Sequence, residues 1–61
     1  MKQIKAQVNY LGWNVYELTI DDHDAMTAAL QRSWTGWSAK DALREANRKL
    51  NLFGYEAIIE A

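Results

Sequence analysis

Residues 37–54 have the sequence WSAKDALREANRKLNLFG, and this stretch predicts one complete helix. Ser38 is a good N-cap residue, and Asp41 three residues later resembles the acidic half of a capping box. Apolar residues then recur at helical spacing until Gly54, a residue that commonly follows the end of a helix in the left-handed conformation. The residues of this apolar stripe are Ala39, Ala42, Leu43, Ala46, Leu50 and Phe53. We therefore expect a helix over about 38–53.

Alternating apolar and polar residues on both sides of this helix predict strands. Residues 4–10 and 13–20 each alternate with a period of two, which is typical of half-buried strands. Gly12 lies between the two runs and tolerates the positive φ of a tight turn, so we expect an antiparallel β-hairpin over 3–20. Residues 55–60 alternate in the same way and predict a last strand.

The segment 22–33 has two interpretations, a short helix or a third strand. Its three alanines and the acidic residues at its start favour a helix, whereas a turn at 21–24 followed by a strand fits the sequence nearly as well. In either case the fold class is α+β. We expect one domain over 1–61, with an antiparallel sheet of three or four strands and one principal helix packed on one face.

Composition limits the classes of function that this chain can have. With 61 residues and no cysteine, a small core without disulfides must stabilise the fold. The net charge of −1 argues against bulk electrostatic binding of nucleic acid. The N-terminal residues lack the apolar core of a signal peptide, and no apolar run approaches the length of a membrane span. We expect a cytoplasmic protein with no membrane partner.

Only one cluster in the sequence has residue types suited to chemistry. Residues 21–24, Asp-Asp-His-Asp, include the single histidine of the chain and three carboxylates. Neighbouring side chains in such a run diverge, and no second cluster completes a metal shell, so we interpret the run as a solvated helix start. We predict no catalytic residue, no metal, no cofactor and no small-molecule substrate.

Spare aromatic and apolar residues predict a binding surface. Trp13, Val15 and Ile58 fall on the side of the strands that faces away from the helix, unless residues 21–34 cover that side. Trp34 and Trp37 flank a flexible Thr-Gly pair, and they lie in a loop at the surface or fold back into the core. Large aromatic side chains and arginine dominate binding interfaces. The predicted partner-binding residues are Trp13, Val15, Arg32, Trp34, Trp37 and Ile58.

These features favour a small, non-enzymatic protein–protein interaction module, an adaptor or an inhibitor. Short, cysteine-free chains of this kind are frequent in phages and mobile elements. One alternative is a structural homo-oligomer, a homodimer for example, that uses its apolar surface for self-association. Another is a weak nucleic-acid binder, for which the sequence offers aromatic residues with Arg32 and the basic side of the long helix. The residues concerned are Arg32, Trp34, Trp37, Lys40, Arg44, Arg48 and Lys49.

Overall fold

The computed structural model describes residues 1–60, which form a small, compact α+β fold. Its elements, in chain order, are β1 (Lys2–Gly12), β2 (Val15–Ile20), α1 (His23–Ala29), β3 (Ser33–Gly36), α2 (Ala39–Leu50), a 3₁₀ turn (Asn51–Phe53) and β4 (Tyr55–Ile59). The predicted hairpin, long helix and last strand are all present. The segment 22–33 contains the short helix of the first interpretation, α1, and the additional strand β3 begins only at its last residue, Ser33, so a strand over most of this segment was wrong.

The four strands form a mixed sheet in the order β3-β2-β1-β4. β1 and β2 make the predicted antiparallel hairpin, and β3 pairs antiparallel with β2. β4 pairs with β1 in parallel, with Lys2 opposite Tyr55 and Ala6 opposite Ile59. The prediction of an all-antiparallel sheet was therefore wrong. α2 carries the chain across the sheet from β3 to the far side of β1, so β4 starts at the same end of the sheet as β1 does.

Both helices begin at side-chain caps and pack on the same face of the sheet. Ser38 Oγ accepts a hydrogen bond from the Asp41 N–H at 3.1 Å, and Asp22 Oδ1 accepts one from the Ala25 N–H at 2.9 Å. α1 ends at Leu30, whose backbone is left-handed. The buried apolar residues form one core between the helices and the sheet: Ile4, Ala6, Leu18, Ile20, Ala25, Ala29, Trp34, Ala42, Ala46, Leu50 and Ala57.

The opposite face of the sheet is open and mostly polar. Strand alternation places on it Gln3, Lys5, Gln7, Asn9, Val15, Glu17, Thr19, Thr35, Glu56 and Ile58. The segment 21–34 does not cover this face, because α1 packs with α2 on the other side. Val15 and Ile58 do lie here as predicted, but polar residues of β1 and β2 separate them. The open face therefore has no continuous apolar patch.

Side chains form hydrogen bonds with backbone groups of both outer strands, β3 and β4. The Asn47 amide of α2 accepts a hydrogen bond from the Ala57 N–H at 2.7 Å and donates one to the Ala57 carbonyl at 3.3 Å. On β3, Gln31 Nε2 donates to the Ser33 carbonyl at 2.7 Å. Unpaired strand edges invite other strands, so these contacts protect the outer edges at Ala57 and Ser33. Among residues 1–60, neither helix has the length and apolar sequence needed to cross a membrane.

Candidate functional site: the hairpin end

The β1–β2 hairpin extends past the layer of helices. β1 has 11 residues, which in a twisted strand with a bulge span on the order of 30 Å, whereas the 12 residues of α2 span only about 18 Å. Along the inner face of β1, Ile4 and Ala6 are buried, Val8 is half-buried, and Tyr10 is 59% exposed. The tip of the hairpin therefore lies beyond the core, with both faces exposed to solvent.

A two-residue turn joins the two strands, and both of its residues have positive φ. The values are 56° for Trp13 and 58° for Asn14, as in a type I′ turn, and Gly12 before them has φ 93°. The Asn14 N–H donates to the Tyr10 hydroxyl at 3.3 Å, and the Tyr10 and Tyr16 rings lie 5.0 Å apart. These contacts hold the turn. They leave the Trp13 side chain 92% exposed, the most exposed of the large apolar residues.

The backbone places Trp37 at the same end of the sheet. Gly36 pairs with Tyr16, so Trp37 follows at the level of Val15, beside the turn. A Cβ on Gly36 would lie 2.5 Å from the Ala42 nitrogen, so the start of α2 approaches β3 too closely for any other residue. The chain must enter the helix directly after this contact. Trp37 therefore lies in the short connection between β3 and α2, where it is 73% exposed and does not pack against the helix.

We call this exposed group the hairpin end; its residues are Tyr10, Leu11, Trp13, Val15 and Trp37. Leu11 is the extra residue of a β-bulge and is exposed. Val15 and Trp37, with Thr35 and Gly36, line a shallow depression of about 210 Å³. None of the five side chains is a carboxylate, an amine or a guanidinium. The surface is thus uncharged, convex at Trp13 and slightly concave beside Trp37.

The structure brings together only some of the residues that the sequence singled out. Trp13, Val15 and Trp37 belong to the hairpin end. Trp34 is 7% exposed and packs in the core opposite Leu18. Arg32 lies before β3, at the opposite end of that strand from Trp37.

Ile58 does not belong to the hairpin end, whereas two residues that the sequence did not single out do. Ile58 lies on β4 beside Lys5, away from the turn. The sequence analysis did not identify Tyr10 and Leu11 as site residues. Alternation assigned Tyr10 to the core face, and it did not reveal the β-bulge at Leu11. The mismatch in length between β1 and the long helix is a signal that could have found them.

The acidic run 21–24 starts α1. The Ala25 N–H that donates to Asp22 holds the pKa of this carboxyl below its ordinary value, and Lys2 at 3.5 Å adds to the effect. His23 Nδ1 lies 3.9 Å from Asp24 Oδ1, and both side chains are exposed. Within residues 1–60, no three His, Asp or Glu side chains are arranged to hold a metal ion.

A second group of exposed apolar residues lies at the other end of the molecule. It consists of Met1, Leu30, Leu52 and Phe53. Leu30 resembles Trp13 in two respects, because it is 87% exposed and has a positive φ, 54°. This second group contains no tryptophan, and it provides a matched control for experiments on the hairpin end.

Comparison with protein-family models, with curated proteins and with solved structures finds no match to this chain. Proposals about its function therefore depend on the geometry and chemistry of its own residues.

Proposed function

We propose that this protein is a small, non-enzymatic interaction module, an adaptor or an inhibitor, that binds another protein through the hairpin end. One observation carries the proposal: a tryptophan that is 92% exposed occupies a left-handed position in the turn. The uncharged apolar surface around it suits a partner with an apolar cleft that receives the indole ring.

Both features of Trp13 work against the stability of the isolated protein. A left-handed backbone costs a residue with a side chain about 1–2 kcal/mol, and asparagine or glycine relieves much of that cost. An exposed indole also gains almost nothing from the hydrophobic effect. Strain of this kind concentrates at functional sites, and tryptophan is the residue most enriched among binding hot spots. A binding role accounts for both features together.

The two alternative functions make different use of the same residues. Self-association would also bury the hairpin end, and it is distinguished by the mass of the protein in solution. The nucleic-acid alternative needs Arg32, Trp34 and Trp37 to act together. The geometry does not favour it, because Trp34 packs in the core and Arg32 lies at the other end of β3.

The proposal can be tested by covalent capture in cells that produce the protein. A photo-crosslinking amino acid replaces Trp13 in one variant and Leu30 in the matched control. Both sites are apolar, highly exposed and left-handed, but they lie at opposite ends of the molecule. We expect the probe at position 13, and not the probe at position 30, to form a single major adduct with another protein.

A second substitution distinguishes a specific adduct from random collision. Trp37→Ala, placed beside the probe at position 13, should reduce the yield of the adduct because it removes part of the same surface. Equal adducts from positions 13 and 30, or an adduct that contains only this protein, would contradict the proposal. The second result would assign the hairpin end to self-association.

A further inference from the structure

The outer edge of β3 presents the backbone groups of Thr35. The Ile20 N–H donates to the Arg32 carbonyl at 3.0 Å, so even-numbered residues of β3 direct their N–H and C=O groups toward β2. Alternation then turns both backbone groups of Thr35 away from β2. β3 is the edge strand on the side of the sheet away from β4, and none of residues 1–60 pairs with Thr35 on this outer side.

Two features of the open face of the sheet lie beside these groups. One is the uncharged depression between Val15 and Trp37, which Thr35 also lines. The other is Glu17, which lies directly opposite Thr35 on β2. Its side chain is half-buried, and within residues 1–60 no Lys, Arg or His forms a salt bridge with it. A depression and a carboxylate thus accompany one open pair of backbone groups.

We infer that the partner of this module contributes an extended segment that pairs antiparallel with β3 at Thr35, with an apolar side chain for the depression and a cationic one for Glu17. The inference rests on the proposed function, since Trp37 belongs to both surfaces. Antiparallel pairs are slightly more stable than parallel ones, and Thr35 can exchange both hydrogen bonds with one residue of such a segment.

This pairing fixes the order of the side chains in the segment. The residue opposite Thr35 is lysine or arginine, whose long side chain crosses Thr35 to reach Glu17. The apolar residue comes two positions earlier, opposite Trp37, and points to the same face of the sheet. The residue opposite Thr35 is not proline, because its N–H donates to the Thr35 carbonyl.

A second copy of this chain does not supply these side chains. Symmetric antiparallel pairing through Thr35 places Thr35 of the second copy opposite Thr35, and Ser33 of the second copy opposite Trp37. Threonine and serine are short and uncharged, so they neither fill the depression nor bring a cation to Glu17. The Ser33 carbonyl, which this pairing also needs, already accepts a hydrogen bond from Gln31 at 2.7 Å. The occupant is therefore an extended segment of a different protein.

The inference can be tested by NMR with synthetic peptides. The probe is the acetylated and amidated peptide Ser-Thr-Leu-Thr-Lys-Thr-Ser, in which leucine precedes lysine by two positions. At saturation we expect it to slow amide exchange at Thr35 by about tenfold or more and to shift the indole N–H resonance of Trp37. Ala57 is the internal control on the other outer strand, because Asn47 already occupies both of its backbone groups.

Two matched peptides test the hydrogen bonds and the direction of pairing. A peptide with an N-methylated backbone at lysine cannot donate to the Thr35 carbonyl, and it should bind at least about tenfold more weakly. A peptide with leucine and lysine exchanged has the same composition but the order that a parallel segment would need. It should also bind more weakly than the probe.

Glu17→Gln tests the cation without changing the edge of β3. We expect it to weaken binding of the probe by about two- to fivefold, and to leave unchanged the binding of a peptide with norleucine in place of lysine. Glu56→Gln is the matched control. Glu56 lies on the same face of the sheet but on β4, so this substitution should not affect either peptide.

The possible results separate this inference from the proposed function. A probe peptide that leaves Thr35 unchanged, or that protects Ala57 instead, would overturn the strand pairing even if the probe at position 13 captures a partner. Equal binding of either matched peptide, or no effect of Glu17→Gln, would overturn it as well. Protection of Thr35 that rises with protein concentration in the absence of peptide would identify a second copy as the occupant, which also overturns the inference. Peptide pairing at Thr35 without any capture from position 13 would support the edge and contradict the hairpin end.

Discussion

Replacing Trp13 with asparagine should stabilise the isolated protein and at the same time weaken its binding. Asparagine is well tolerated in a left-handed turn, so relief of backbone strain should gain about 1 kcal/mol. The cost in packing is small. Because the indole is 92% exposed, the substitution removes only about 20 Å² of buried surface, worth roughly 0.5 kcal/mol. The net gain of about 0.5 kcal/mol corresponds to a rise of roughly 2–4 °C in Tm.

The effect on binding should be larger and opposite in sign. Truncation of a tryptophan hot spot costs about 2 kcal/mol or more, which is a loss of about 30-fold in affinity. Thermal unfolding followed by circular dichroism measures the first effect. Titration of Trp13→Asn against the protein captured by the crosslinking probe measures the second.

Leu30→Asn is the matched control for this substitution. It relieves the same kind of backbone strain at an equally exposed site, so Tm should rise as for Trp13→Asn. Affinity for the partner should stay unchanged, because Leu30 lies at the other end of the molecule. The reasoning is refuted if Trp13→Asn lowers Tm by several degrees, or if both variants bind the partner as the wild type does.

Three further substitutions test contacts that stabilise the fold. Gly36→Ala should destabilise the fold by about 1–3 kcal/mol in urea unfolding, because the new Cβ would lie 2.5 Å from the backbone of α2. An unchanged free energy of unfolding would show that the start of α2 moves away to make room for the methyl group. Asn47→Ala should cost about 1–3 kcal/mol and favour aggregation, since it exposes the edge of β4; an unchanged sedimentation profile would contradict this. The folded state lowers the pKa of Asp22, so this carboxylate stabilises the protein above its unperturbed pKa of 3.8 and loses its effect as pH falls through the lowered value. Asp22→Asn should therefore weaken the dependence of the unfolding free energy on pH between about 2 and 5. If the variant loses stability at acidic pH as the wild type does, groups other than Asp22 cause that loss.

The main elements of the fold were predictable because their signals are local. Alternation in β1 and β2, the cap at Ser38 and the stop near Gly54 each specify one element without reference to the others. The direction of β4 is a different kind of property. Its alternating residues fit a parallel and an antiparallel neighbour equally well, and only the path of α2 across the sheet decides between them. The helix α1 and the strand β3 have seven and four residues, too few for periodicity to separate them.

The candidate site shows how one assignment decides another. On a helix, Trp34 and Trp37 lie on the same side, three residues apart, whereas on a strand an odd separation places them on opposite faces. Without the assignment of β3, the sequence could not tell which of the two is buried. Alternation assigned Trp13 to the second strand, with the turn at Gly12, and its position in the turn with a left-handed backbone became visible only in the structure.

The parallel pairing of β1 with β4 determines how the protein should respond to mechanical force. When the chain is pulled at Lys2 and Glu60, the two strands slide past each other in opposite directions. The hydrogen bonds between them then bear the load together, instead of opening one after another as in a hairpin pulled apart from its open end. The same molecule pulled at Lys2 and Ile20 loads the antiparallel hairpin in a different geometry. Single-molecule stretching should therefore find that the first direction resists force more strongly than the second.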